Sequence, residues 1–160
     1  MSIKVGDRIP DLTLTRATAG GPTPITTREV FDGRKVVLFA VPGAFTPTCH
    51  KQHLPGYLAQ YDAIKAKGID TIACVAMNDP FVMQAWADAS GVGERILMLA
   101  DGNGEFTKAV GLEVDLSKFG MGVRSQRYAM VVENGVVKEL NVEQPGKLEV
   151  SAADAVVCQL

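Results

Sequence analysis

Long apolar runs are missing from this 160-residue chain. A bilayer span needs ~20 consecutive apolar residues. Val36–Val41 and Ile69–Met77, among the most apolar stretches, are strand length, so no membrane partner is expected. An excess of one charge is missing too: 16 Lys and Arg face 18 Asp and Glu, a net charge of −2. That balance gives nucleic acid or an anionic surface no electrostatic hold. Cysteine is scarce. Cys49, Cys74 and Cys158 are odd in number and far apart, unlike a secreted disulfide framework. There is no CxxC pair, which excludes dithiol chemistry of the thioredoxin kind, and no Walker loop or dinucleotide-binding glycine fingerprint. Cys49 and His53 would give zinc only two ligands, so no metal and no cofactor are expected. Asp101–Glu105 lacks the glycine and the distal acid of a calcium loop and reads as a turn. Met1–Pro10 has no basic stretch leading into an apolar one, so no secretory leader is expected. These absences suit a reduced, cytoplasmic protein.

What is present suits one globular domain over residues 1–160. Hydrophobic residues make up 47% and charged residues 21%, enough for a full core without staples. Thr18–Pro24 reads as a loop, and nothing before Lys35 is assigned to an element. Val36–Val41, ended by Pro42-Gly43, reads as a strand buried on both faces. Pro47–Lys67 is predicted helical, with Leu54, Tyr57, Leu58, Tyr61 and Ile64 at helical spacing and a kink or restart at Pro55. Ile69–Met77 is the next strand. Asn78-Asp79-Pro80 opens a helix to Ala89 with Phe81, Ala85 and Trp86 on one side. Ile96–Leu99 is a third strand, and a short helix starts at Asn103 or Gly104. Arg127–Glu133 and Val136–Val142 form a hairpin around Asn134-Gly135. A last helix is predicted over Ser151–Cys158 with Ser151 as its N-cap. Crossover helices plus a hairpin predict an α/β fold with a central mixed sheet flanked by helices.

The segment Val41–Cys49 joins the end of a central strand to the start of a helix, the place where open α/β sheets carry their reaction sites. A thiol in the first helical turn meets unpaired amides and the positive end of the helix, which favour the reactive thiolate. Thr46 and the loop amides add polar groups. Equally, a cysteine is often a small buried hydrophobe, and the residues alone leave both readings of Cys49 open. For Arg127, a surface ion pair of little energetic value is the plainer reading.

Pro42, Thr46 and Cys49 spell the PxxxTxxC motif, and the string VPGAFTPTCHKQHLPGY resembles the type II, or peroxiredoxin 5, group of the peroxiredoxins. Similar stretches extend over nearly the whole chain: KVGDRIPDLTL, KGIDTIACVAMNDPFVMQAW and RYAMVVENGVVKELNVE. The resemblance implies a thioredoxin-like fold and reduction of hydrogen peroxide or alkyl hydroperoxides. It makes Cys49 the peroxidatic cysteine, Thr46 and Arg127 its peroxide-binding partners with Gly43 in the loop, and Pro42 the shield of the sulfur. Arg127 would favour the thiolate by its charge, and the product would be a sulfenic acid that another thiol recycles.

For the second thiol, the resemblance points outside the chain. Where relatives with an internal two-cysteine cycle place a resolving cysteine, this chain reads Gly146–Ser151 without one, and Cys158 lies within or beyond the last helix. Glutathione with glutaredoxin, or thioredoxin, is the implied reductant. Cys74 is the internal candidate, but a strand cysteine packs more readily than it reacts. A homodimer is usual in the group. His53 reads as a pocket-wall residue and Arg124 as secondary support. A redox-sensing protein that relays oxidation through Cys49 to a partner is the alternative function.

Overall fold

The computed structural model describes residues 1–160. Its order is β1 (Thr13–Ala17), β2 (Thr23–Thr26), α1 (Thr27–Phe31) and β3 (Lys35–Ala40), then a π-helical turn (Cys49–His53), α2 (Leu54–Ala59) and α3 (Tyr61–Ala66). β4 (Thr71–Ala76), α4 (Pro80–Ala89), β5 (Leu97–Ala100) and α5 (Glu105–Ala109) follow. A small ribbon of β6 (Glu113–Asp115) and β7 (Val123–Ser125) precedes β8 (Tyr128–Glu133), β9 (Val136–Val142) and α6 (Ala153–Gln159). The main sheet has seven strands in the order β2-β1-β5-β4-β3-β8-β9. β3, β4 and β5 are parallel, as helical crossovers require, and the other neighbours are antiparallel. This is the thioredoxin-like fold, with helices on both faces of a mixed sheet.

Strand alternation divides the core in two. Val37, Phe39 and Val41 face one layer with Leu54, Tyr57, Trp86 and Val156. Val36, Leu38 and Ala40 face the other with Val30, Phe106 and Tyr128. β3 is buried on both faces, and so its sequence shows no alternation.

Several elements differ from expectation, each for a local reason. The loop read at Thr18–Pro24 closes as a turn from Thr18 to Gly21, and its end enters β2. The α1 helix is short but opens with a capping box of Thr26 and Glu29. The single helix expected over Pro47–Lys67 is three pieces. The π turn gives way to α2 at Leu54, next to Pro55, and Gln60 leaves helical geometry (φ −95°, ψ 8°) before α3. In α4 the buried face is Met83, Trp86 and Ala87, whereas Phe81 is 71% exposed and Ala85 is also exposed. The N-cap of α6 is Ala152, because Ser151 turns its hydroxyl to Glu143. The hairpin forms where Asn134-Gly135 predicts it, with φ of +49° and +78°. A bulge interrupts it: Val131 pairs with Glu139 and Val132 with Val137, leaving Lys138 as the extra residue.

The α5 helix starts at Gly104, which adopts φ +72° and has no side chain to cap the first turn. Asp101 supplies the cap instead. Its buried carboxylate accepts the Phe106 and Thr107 amides at 3.1 and 2.8 Å and the Thr107 hydroxyl at 2.7 Å. Asp101→Ala strands three buried donors and should lower the unfolding free energy by about 3 kcal/mol. Urea denaturation measures this, and a loss under about 0.5 kcal/mol would show that the cap contributes nothing.

Candidate active site

The register of the sheet decides which residues meet. β8 runs antiparallel to β3 with Ala40 opposite Tyr128. Arg127, one residue before β8, therefore lies beside the Pro42 loop. Tyr128 faces the α1 and α5 side of the sheet, so by alternation Arg127 faces the side that carries the π turn. Val142 of β9 pairs with Tyr128, and the Glu143 amide donates to the Arg127 carbonyl at 2.9 Å, which brings Glu143 to the same edge.

Cys49 is fully buried as the first residue of the π turn. π turns are rare and collect at functional sites. Arg127 divides its guanidinium between two acceptors: Nη2 donates to Cys49 Sγ at 3.1 Å, and Nη1 donates to His53 Nδ1 at 2.9 Å. The Nε2–H of His53 donates to the Ser151 carbonyl at 3.0 Å, which fixes one neutral tautomer. Tyr57 donates to the same carbonyl at 2.7 Å and stacks on Phe39, with ring centroids 4.0 Å apart. Burial first, and then the Arg127 charge, push the His53 ring down to about 4, against the Ser151 bond and the Glu143 charge. The imidazole is therefore a neutral acceptor for Arg127 at neutral pH.

The loop before Cys49 is held from several sides. Thr46 Oγ1 donates to the Gly43 carbonyl at 2.7 Å, leaving its lone pairs free to accept. The Ala44 amide donates to Asn78 Oδ1 at 2.9 Å. Phe45 takes φ +65°, an uncommon left-handed conformation for a residue with a side chain, and its ring lies 5.5 Å from that of His50. Trp86 Nε1 donates to His50 Nδ1 at 3.1 Å, tying α4 to the π turn. Arg124 pairs with no acid; it donates to the Met121 and Pro42 carbonyls at 2.9 and 3.4 Å. A Cβ on Gly43 would stand 3.0 Å from Arg124 Nη1 and 3.2 Å from Thr46 Cγ2, so a side chain there would push both aside. Beside this loop opens a cleft of about 570 Å³ lined by Pro42, Thr48, Leu116, Phe119 and Arg127, with Lys118 and Lys147 also on its wall.

Of the residues singled out in the sequence, the structure brings Pro42, Gly43, Thr46, Cys49, His53, Arg124 and Arg127 together. It keeps Cys74 and Cys158 as free thiols. Cys74 is fully buried on β4, opposite Phe39 and Met98. Burial pushes its thiol well up, the Cys49 sulfur adds to the rise, and Arg127 opposes it. Cys158 is exposed on α6. Sequence reading missed Asn78, Tyr57, Ser151 and Glu143 as parts of the site. Only the tertiary fold joins them to the motif, and no local spacing signals it.

A buried cysteine thiol in the turn that follows the β3 loop, joined to a guanidinium on a thioredoxin-like sheet, defines a class of thiol redox proteins. Residues 4–157 match the Redoxin family. Peroxiredoxin-2E-2, chloroplastic, of Oryza sativa subsp. japonica is 50% identical over 158 residues, covering 96% of this chain and 70% of its own. Reduced Prx3 of Vibrio vulnificus, crystallised with H2O2, is 54% identical with a TM-score of 0.93 and 98% of each chain covered. Peroxiredoxin 5 of Alvinella pompejana is 43% identical with a TM-score of 0.84, covering 98% of this chain and 96% of its own. The chain belongs to the peroxiredoxins of the Redoxin family, in the type II or peroxiredoxin 5 group. No helix is long and apolar enough to cross a membrane. The rice relative is described as chloroplastic, so that likeness does not support the cytoplasmic location expected from composition.

His53 gives stability a pH dependence. The unfolded ring takes a proton near pH 6.5, the folded one only near pH 4. Between these values the unfolded chain binds more protons, so this contribution is complete above about pH 6.5 and falls by about 3 kcal/mol on acidification through about pH 4. Urea titrations across the window should show the slope, and His53→Asn should flatten it. An equal slope in the variant would assign the effect to other groups.

Proposed function

We propose that this protein is a thiol-dependent peroxidase in which Cys49 reduces hydrogen peroxide and alkyl hydroperoxides. The observation that carries this reading is the 3.1 Å bond from Arg127 Nη2 to Cys49 Sγ, with the other arm of the guanidinium fixed by His53. The Cys49 thiolate attacks one peroxide oxygen in line with the O–O bond. That bond breaks, the sulfur is oxidised to a sulfenic acid, and the departing oxygen takes a proton to leave as water or an alcohol. Arg127 supplies donors where negative charge develops. The Thr46 hydroxyl, its proton already given to Gly43, accepts from the peroxide O–H and so orients it. Gly43 leaves room for this, and Pro42 covers the sulfur from water. The Vibrio relative crystallised with H2O2 supports a peroxide substrate.

In the second half-reaction an external thiol condenses with the sulfenic acid and releases water. A second thiol then displaces it from the mixed disulfide. Glutathione with glutaredoxin, or thioredoxin, fills this role in a one-cysteine cycle. The inward burial of Cys74, which pushes its thiol well up, favours that cycle over an internal disulfide. Exposed Phe45, Phe119 and Val123 around the site support a homodimer through this face.

Cys49→Ser should abolish peroxide consumption with a thiol donor while the fold survives, and residual turnover would remove Cys49 from its role. Arg127→Ala should lower kcat/KM for peroxide about a hundredfold. Mass spectrometry after limited peroxide should show a sulfenic acid alone and a glutathione adduct when glutathione is present. A Cys49–Cys74 disulfide would overturn the one-cysteine cycle. A sensor would oxidise once and stall with every reductant, so steady turnover separates it from an enzyme.

A further inference from the structure

A buried acid lies behind the site, unused by the chemistry so far. Glu143 follows β9 and is 8% exposed. A carboxylate that loses water needs donors or a cation in exchange. Glu143 has no cation within ion-pair distance, and all its bonds converge on one oxygen. Oε2 accepts the Glu149 amide, the Ser151 amide and the Ser151 hydroxyl, each at 2.7 Å. These donors belong to the irregular segment between β9 and α6, which has no ladder of its own. Burial pushes the Glu143 carboxyl up, but the hydrogen bonds from Ser151 and Glu149 outweigh it and hold the group below its ordinary value. It stays ionised, and it clamps the segment.

The clamp sets the position of one carbonyl. Ser151 C=O accepts from both His53 Nε2 and Tyr57 Oη, so both of its lone pairs are used. With Nε2 as the donor, His53 Nδ1 offers its lone pair to Arg127 Nη1, and the second arm of Arg127 then reaches Cys49 Sγ. If the carbonyl moved away, the ring could hold its proton on Nδ1 instead and face the guanidinium with an N–H. That would turn Arg127 from the sulfur.

We infer that Glu143 is a positioning residue for the peroxide step, acting through Ser151 and His53 to aim Arg127 at Cys49. This rests on the peroxidase reading above for its activity arm, but not for its thiol arm.

The test compares Glu143→Ala with Glu143→Gln. Glutamine keeps a carbonyl oxygen that can accept the same three bonds, loses the charge, and puts an NH2 in place of Oε1, which holds none of the three. The alanine variant should consume peroxide about tenfold more slowly, and glutamine should recover the rate to within about threefold of the parent. Alkylation of Cys49 by iodoacetamide should follow the same order at neutral pH, with its pH profile moved toward alkali in the alanine variant. A general loss of stability would not move that profile.

Unchanged rates and profile in the alanine variant would overturn the inference. So would a glutamine variant as slow as alanine, since that would make charge rather than the clamp the cause. If Glu143→Ala does not fold, Ser151→Ala decides. It removes one of the three bonds and should slow both reactions about threefold with the same alkaline displacement, and unchanged values would overturn the proposal. Should the parent protein consume no peroxide, the peroxidase reading fails, while the alkylation comparison still tests the clamp.

Discussion

One guanidinium holds the site together. Arg127 bonds a sulfur on one side and a neutral imidazole on the other. An ammonium could meet either acceptor, but it lacks the rigid planar fork that fixes both directions at once. The arrangement depends on His53 staying uncharged, and the core arranges this by packing the ring beside Phe39 and Tyr57, with centroids 5.0 and 5.6 Å away. The hydrophobic core thereby sets the protonation state of a polar group, and that group sets the aim of the cation. Burial, usually a matter of stability, here serves electrostatics.

The fold delivers these groups from four separate stretches of chain: the loop after β3, the π turn, the start of β8 and the segment before α6. The first two are contiguous in sequence, whereas Arg127 lies 78 residues after Cys49 and Ser151 lies 98 after His53. The parallel strands place the motif loop at one edge of the sheet, and the antiparallel pairing of β8 returns Arg127 to that edge. Cys74 comes from the strand next to β3, yet it sits in the core with its thiol pushed up by burial. Proximity in the fold does not by itself make a thiol reactive; the neighbours must also favour its charge.

Much of this was legible in the sequence. The apolar run of β3, the hairpin at Asn134-Gly135 and the N-cap at Asp79 carry their own local signals, and the motif around Cys49 named most of the site. What stayed hidden has a common physical character. β2 is a short edge strand and β1 its short neighbour, and their side chains are largely polar or exposed, so no periodicity marks them. The sequence reading groups Phe81 and Ala85 with Trp86 on one side of α4, but the buried face is Met83, Trp86 and Ala87. Ser151 looked like a helix cap because it is a serine before a helix, yet a buried carboxylate took its hydroxyl. At Ser151, local propensity is overridden by a tertiary hydrogen bond.

The bulge at Lys138 bears on all of this from the far end of the molecule. Strand residues alternate between faces, so one inserted residue reverses the orientation of everything beyond it. Glu143 and the segment it grips meet Arg127 only because β9 carries that extra residue between the hairpin and the sheet edge. The length of an outlying ribbon is thus part of the active-site specification. A variant of this chain that gained or lost a residue there would have to compensate within the same strand.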